Sequence, residues 1–171
     1  MNIKYSNNTT PLIFDDFKFI TDASLGRLAK WLRLLGYNTV VFPGEAGREM
    51  LHQAAAEGRI VLTRRKDMTE RQFSGSLFLI TGIDVASQLN DVISKYSLKI
   101  NQQKMFRICL KCNEKLYPVA TEDVRDLVPL FVFENCAQYN QCPRCHNVYW
   151  VGTHQRNALE FMKKHIPRHL P

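Results

Sequence analysis

No apolar run in the sequence reaches the ~18 residues that a membrane-crossing helix requires. The opening stretch, MNIKYSNNTTPLIFDD, lacks an apolar core beside basic residues, which excludes a secretory signal and makes a cytoplasmic protein the expectation. Internal repeats and low-complexity tracts are missing too, so this is not a solenoid. Acidic side chains are the scarce charge. Against 23 Lys and Arg there are 16 Asp and Glu, a formal net charge of +7. The deficit is spread along the chain, with 14 basic against 10 acidic residues in 1–105 and 9 against 6 in 106–171. A basic balance over both halves fits a polyanion partner such as RNA. Cysteines are few: five, four of them in two CxxC pairs, a pattern that favours a metal over disulfides in a reducing compartment.

What is present describes a globular chain. An apolar share of 45% with 23% charged residues is ordinary, and 171 residues suffice for one domain plus a small module. The first 16 residues read as a loose polar arm. FKFITD then alternates apolar and polar and ends at Asp22, which predicts a strand. In SLGRLAKWLRLLGYN, Leu25, Leu28, Trp31, Leu32 and Leu35 recur at helical spacing, with Ser24 as N-cap and Gly36 as stop. TVVF, RIVLT and SLFLITG read as strands, and GREMLHQAAAEG and DVASQLNDVISKYS as helices. This alternation predicts an α/β domain over residues 17–98, with a mostly parallel sheet flanked by helices. Its functional crevice should lie at the carboxyl ends of the strands. Residues 99–105 read as a linker, and 106–171 as a small module with a C-terminal helix.

The two CxxC turns, Cys109/Cys112 and Cys142/Cys145, supply four sulfurs for one tetrahedral ion. Zinc is the expected ion, with an iron–sulfur centre as its rival, since cysteine ligation alone does not separate them. Four thiolates leave no open position, so the metal should hold the module together and do no hydrolysis. The 29 residues between the pairs leave room for strands such as LFVF. Cys136 reads as a small buried hydrophobe, and His146 as an exposed neighbour of the knuckle. Tyr149, Trp150 and His154 either stack on bases or pack the module's core.

Carboxylates at strand exits are candidates for holding Mg²⁺ or Mn²⁺. Asp22 stands first among them, with Glu45, Glu49, Asp67 and Asp84 within topological reach; each also reads as a helix cap or a solvated charge. Arg27, Lys30 and Arg33 line one side of the first helix, and Arg64, Arg65 and Lys66 follow the third strand. Together they are candidates for tracking a phosphate backbone.

FITDASLGRLAKWLRLLGYNT, GRIVLTR and CPRCHNVYWVGTH, in this order, resemble the PIN-like ribonuclease domain found at the C-terminus of Mut-seven exonucleases and as a stand-alone prokaryotic protein. The resemblance runs over residues 17 to 165. It implies a PIN-like α/β fold with a C-terminal zinc ribbon and a metal-dependent RNase activity, with Asp22 at the first acidic position and all four ribbon cysteines in place. Two positions depart: Gly47 and Arg65 stand where the family commonly has aspartate. Glu45 or Glu49, and Asp67 by a local shift, are the available substitutes. The expected function is a metal-dependent endoribonuclease using Asp22, Glu49 and Asp67. A PIN-like RNA-binding module that has lost its metal site is the second reading, and a protein-interaction module docking through the ribbon the third.

Overall fold

In the computed structural model, which describes residues 17–167, β1 (Lys18–Thr21) sends Phe19 to one face and Ile20 to the other, both fully buried. The expected arm, residues 1–16, lies outside the described residues. A strand covered on both faces belongs inside a parallel sheet. β1 pairs in parallel with β2 (Asn38–Val41) and β3 (Ile60–Thr63), and β3 with β4 (Leu77–Leu79), in the order β2-β1-β3-β4. The predicted α/β class is what the chain forms.

The two faces hold separate cores. On the Phe19 side lie α1 (Gly26–Leu34), α3 (Val85–Tyr96) and α5 (Thr153–His165), contributing Leu28, Leu32, Leu89, Ile93 and Met162. On the Ile20 side α2 (Arg48–Glu57) contributes Met50, Leu51 and Ala54. Burying each large apolar side chain is worth about 1.5–3 kcal/mol, so the helical spacing of these residues sets which way each helix faces. Gly36 follows α1 with φ +92°, and a Cβ there would lie 2.6 Å from the carbonyl oxygen of Lys104. Only glycine lets the chain turn so tightly against residues 99–107.

Two local expectations are revised. Ser24 is not the cap of α1: Asp22 caps a 3₁₀ turn, Ala23–Leu25, that leads into the helix. LFVF is not a strand but α4 (Leu130–Asn135), because the carbonyl of Pro129 accepts from the amides of both Val132 and Phe133 and starts a helical turn. A four-residue apolar run carries no period that separates the two states. The antiparallel sheet of the C-terminal module is instead β5 (Tyr117–Val119), β6 (Tyr139–Gln141) and β7 (Val148–Trp150).

The segment expected as a linker is packed. Ile100 and Met105 are buried in the main core together with Met162 and Ile166, and Trp31 of α1 stacks on Phe161 of α5 at 4.5 Å. The C-terminal helix thus docks on the sheet half. Among the described residues no helix is long and apolar enough to cross a membrane.

Candidate functional site

The strand order places a topological switch point between β1 and β3: the chain leaves β1 for β2 on one side, then returns to β3 on the other. At such a point the two connections diverge and open a crevice at the carboxyl edge. Asp22 ends β1 there, only 7% exposed. Its Oδ1 accepts from the backbone N–H of Ser24 at 2.8 Å and from the Ser24 hydroxyl, so the capping reading is realised. Among the described residues its Oδ2 meets only the Thr63 hydroxyl, at 3.4 Å across the switch point. That hydroxyl in turn accepts from the amide of Arg65 at 3.1 Å. One carboxylate oxygen is therefore fixed by the cap, while the other is weakly engaged.

The remaining acids do not gather around it. Asp67 is clamped by the Arg65 fork, at 2.9 and 3.0 Å, and by Arg71 at 3.2 Å. Hydrogen bonding from Arg65 holds the Asp67 carboxyl below its usual range, and the same pair raises Arg65. Asp84 caps α3, accepting from the amides of Ala86 and Ser87. Glu49 is exposed in the first turn of α2. Glu45 and Asp22 lie within electrostatic reach of Arg65. Among the described residues the one group of three or more ligand side chains close enough to hold a metal is made of cysteines, so Asp22, Glu49 and Asp67 form no cage. Asp22 alone fits one hard cation shared with substrate phosphates, since Mg²⁺ commonly takes one or two carboxylates plus phosphate oxygens and water. A two-ion site does not fit.

Beside Asp22 opens a cleft of about 1730 Å³, running from Ala23, Ser24 and Arg64 along α1 to the first cysteine knuckle. Arg27, Lys30, Arg64, Lys111 and Arg144 line it and are exposed, against Asp84 and Glu114. Arg27, Lys30 and Arg64 were expected; Arg65 and Lys66 are exposed but stand outside its walls. Lys111 and Arg144 were missed. Their signal was legible, since each directly precedes the second cysteine of its knuckle, in CLKC and CPRC.

Arg33 corrects an expectation. It is 6% exposed, and its guanidinium donates to the carbonyls of Thr39, Leu110 and Lys111 at 2.8, 2.8 and 3.2 Å. It bolts α1 and β2 to the first knuckle and is not available to a phosphate backbone. Burial lowers its pKa, opposed by the negative charge of Cys109 and Cys112. Asn113, in a left-handed conformation just past Cys112, completes the joint: its Oδ1 accepts from the amide of Thr39 at 2.8 Å and its Nδ2 donates to Asn38. The edge of β2 is thereby covered by the knuckle. Arg33→Ala is expected to cost about 3 kcal/mol, because one buried and two part-buried carbonyls lose a charged donor. Arg33→Lys should recover only part of this, having no fork. Urea unfolding of the three proteins checks it; equal midpoints would mean that the joint carries no stability.

The sulfurs of Cys109, Cys112, Cys142 and Cys145 lie within 4.8 Å of one another, with Cys109 and Cys145 3.7 Å apart. A tetrahedron with Zn–S of 2.3 Å has an edge of about 3.8 Å, so the set can hold a metal ion such as zinc. Burial pushes the Cys109 thiol up, but hydrogen bonds from the Tyr149 hydroxyl and the amides of Cys112 and Lys111 outweigh it and bring it to about 7. Burial and the neighbouring thiols push Cys112 up to about 12. Sulfurs this close ionise together only around a cation. Tyr149 thus serves the metal group, its hydroxyl 3.2 Å from the Cys109 sulfur and accepting from Leu110 at 3.2 Å. Trp150 packs with Val124, Val128 and Tyr139, and Cys136 is half-buried against the same cluster. His146 and His154 are exposed, and neither belongs to the sulfur group.

Residues 17–162 match the family model of the Mut7-C RNAse domain. The chain belongs to the Mut7-C RNAse domain family. No match was found among curated proteins or among solved structures. The Mut7-C match begins at the residue before β1 and ends inside α5, so it takes in the parallel sheet, the four-cysteine module and most of the helix that docks back on α1. Membership in the Mut7-C family points to a ribonuclease-type function. Within that frame position 47, lacking the expected acid, is the N-cap of α2 in extended backbone, where an added Cβ would meet nothing closer than the Glu45 carbonyl at 3.9 Å.

Proposed function

We propose that this chain is a metal-dependent endoribonuclease that hydrolyses RNA phosphodiester bonds at the switch point, with the RNA held in the basic cleft. The observation that carries the reading is the placement of Asp22: nearly buried, oriented by Ser24, with Oδ2 weakly engaged, and directly preceding Ala23 and Ser24, which line a cleft that also carries exposed cations. Asp22 would hold a divalent ion, which when bound supplies charge neutralisation and an acidified water. Arg27, Lys30 and Arg64 neutralise backbone phosphates and set the register of the strand. The Thr63 hydroxyl, held by the Arg65 amide, donates to Asp22 and keeps its carboxylate aimed. Lys111 and Arg144 extend the grip to the four-cysteine module. The test is incubation with mixed-sequence single-stranded RNA, linear and circular, with Mn²⁺, Mg²⁺ or chelator. Metal-dependent cutting of both forms supports the reading, and circular RNA that stays intact while the linear form is shortened overturns its endonucleolytic part.

The clamp on Asp67 favours a second reading, in which the fold binds RNA without cutting it. Arg65 stands where the resemblance implies an acid and draws Asp67 away. Under this reading RNA is retained intact in every metal. Position 47 has room for a side chain, and an aspartate at an N-cap in extended backbone is favourable. The double substitution Gly47→Asp with Arg65→Asp is therefore expected to create Mn²⁺-dependent cleavage in an otherwise inert protein. If the parent already cleaves RNA at the rate of the double variant, the second reading fails.

A further inference from the structure

A second concavity, of about 300 Å³, opens at the far end of α1 from Asp22, between Gly36, the 99–107 segment and the base of the first knuckle. Its lining carries Lys99, Lys104, Arg107 and Lys115 and, among the described residues, no acidic side chain. Lys99, Arg107 and Lys115, brought together around one hollow, repel one another, and an anion bound among them relieves that repulsion. The frame that holds them is built from the backbone. The Tyr37 hydroxyl donates to the Lys99 carbonyl at 2.7 Å, and the amide of Phe106, itself at φ +59°, donates to Leu34 at 2.9 Å. Ile108 bridges Lys115 in antiparallel fashion, and the amide of Leu116 donates to the Arg107 carbonyl at 2.9 Å. The backbone that carries the cations is thus fixed before any ligand arrives.

Positive charge near the C-terminal end of a helix also complements the helix dipole, which is a purely structural role for one or two such cations. Lys99, Arg107 and Lys115 around one hollow, contributed by two separate stretches, exceed that need. The chemistry matched by a compact set of lysines with one guanidinium is a phosphate group. The pocket also has a fixed relation to the cleft. Leu110–Glu114, the tip of the first knuckle, line the cleft, while Arg107, Ile108, Lys115 and Leu116 at its base line the pocket. A nucleic-acid strand leaving the cleft around this knuckle meets the second set of cations.

We propose that this pocket is a second phosphate-binding site, and that it takes backbone phosphates of an RNA strand whose neighbouring segment lies in the cleft. The RNA part rests on the reading of the cleft as an RNA site. The test compares the parent with the double variant Lys99→Gln, Lys115→Gln, both exposed positions, across a salt series by fluorescence anisotropy. Single-stranded RNAs of about 4 and about 16 nucleotides span the range of site sizes seen in strand-binding grooves. For the longer RNA, losing two phosphate contacts should lower the slope of log affinity against log salt by about 1.4. For the shorter RNA, which the cleft alone accommodates, the variant should match the parent. Equal slopes for the longer RNA overturn the RNA assignment. A parent that binds no RNA at all overturns the reading of the cleft and the RNA assignment with it. The phosphate site is then judged separately by titrating inorganic phosphate and a nucleoside monophosphate while following the amide resonances of Gly36, Arg107 and Leu116. Shifts in the parent that vanish in the variant uphold a site for a free phosphate ester. No shifts and no RNA effect overturn the site altogether.

Discussion

Replacing Cys142 by serine, or stripping the metal with a strong chelator, is expected to unfold residues 107–152 while leaving the parallel sheet folded. Little else holds that module. Its apolar cluster has three buried members, Val124, Val128 and Tyr139, with the remaining apolar residues only partly covered. Large apolar side chains there, including Leu127, Leu130 and Phe131, are exposed. A cluster this small cannot offset the ordering entropy of its chain, whereas a structural zinc contributes on the order of 10–16 kcal/mol. Cys142 is fully buried, so a serine there places a poor ligand at a position closed to water. The sheet has its own cores on both faces, and α5 is docked on α1 through Met162 and the Trp31–Phe161 stack, so both should persist. Hydrogen exchange with and without chelator checks this. Protection should collapse across both knuckles and β5–β7 and hold in β1 and β3. Unchanged protection in the module would show that it does not depend on a metal. Since Arg33 and Asn113 tie the first knuckle to β2, the amide of Thr39 should also lose protection.

Asp22→Asn should abolish metal-dependent cleavage, by about 10²-fold or more, while the melting temperature stays unchanged. The two halves of this expectation come from different oxygens. Oδ1 is the capping acceptor for Ser24, and asparagine retains an acceptor of the same shape and ranks with aspartate as an N-cap. Oδ2 carries the function proposed here, and its charge is lost when an amide replaces it. A fall in activity together with a fall in stability would assign the carboxylate to the cap alone. Cleavage at the parent rate would remove Asp22 from the reaction and leave the cleft as a binding surface. RNA affinity in the absence of divalent metal should be unaffected or slightly stronger, because the variant has lost a negative charge beside a basic groove.

The strands and helices were legible from local patterns, because burial on one face imposes a period that survives in the sequence. Leu28 and Leu32 on α1, and Phe19 against Ile20 on β1, are examples. LFVF was misread because a run of four apolar residues has no period, and only the preceding Pro129 and its carbonyl bonds select the helix. The cysteine group was legible because CxxC spacing is itself a geometric constraint. Arg33 was not. Its place in the Arg27, Lys30, Arg33 series gave it the look of a surface cation, while the knuckle that buries it is 77 residues away in the chain. The same holds for the acids, since proximity to a strand exit is local but convergence on one ion is not.

By itself, then, the sequence determined the α/β class, the parallel sheet, the four-sulfur group and the position of Asp22 at a strand end. Each of these follows from spacing along the chain. Only the tertiary structure decided that Asp67 is held by Arg65, that Arg33 is a buried bolt, and that Lys111 and Arg144 join Arg27, Lys30 and Arg64 around one cleft. These are meetings between residues far apart in sequence or competing for one partner, and the packing of the knuckle against β2 is what brings them together.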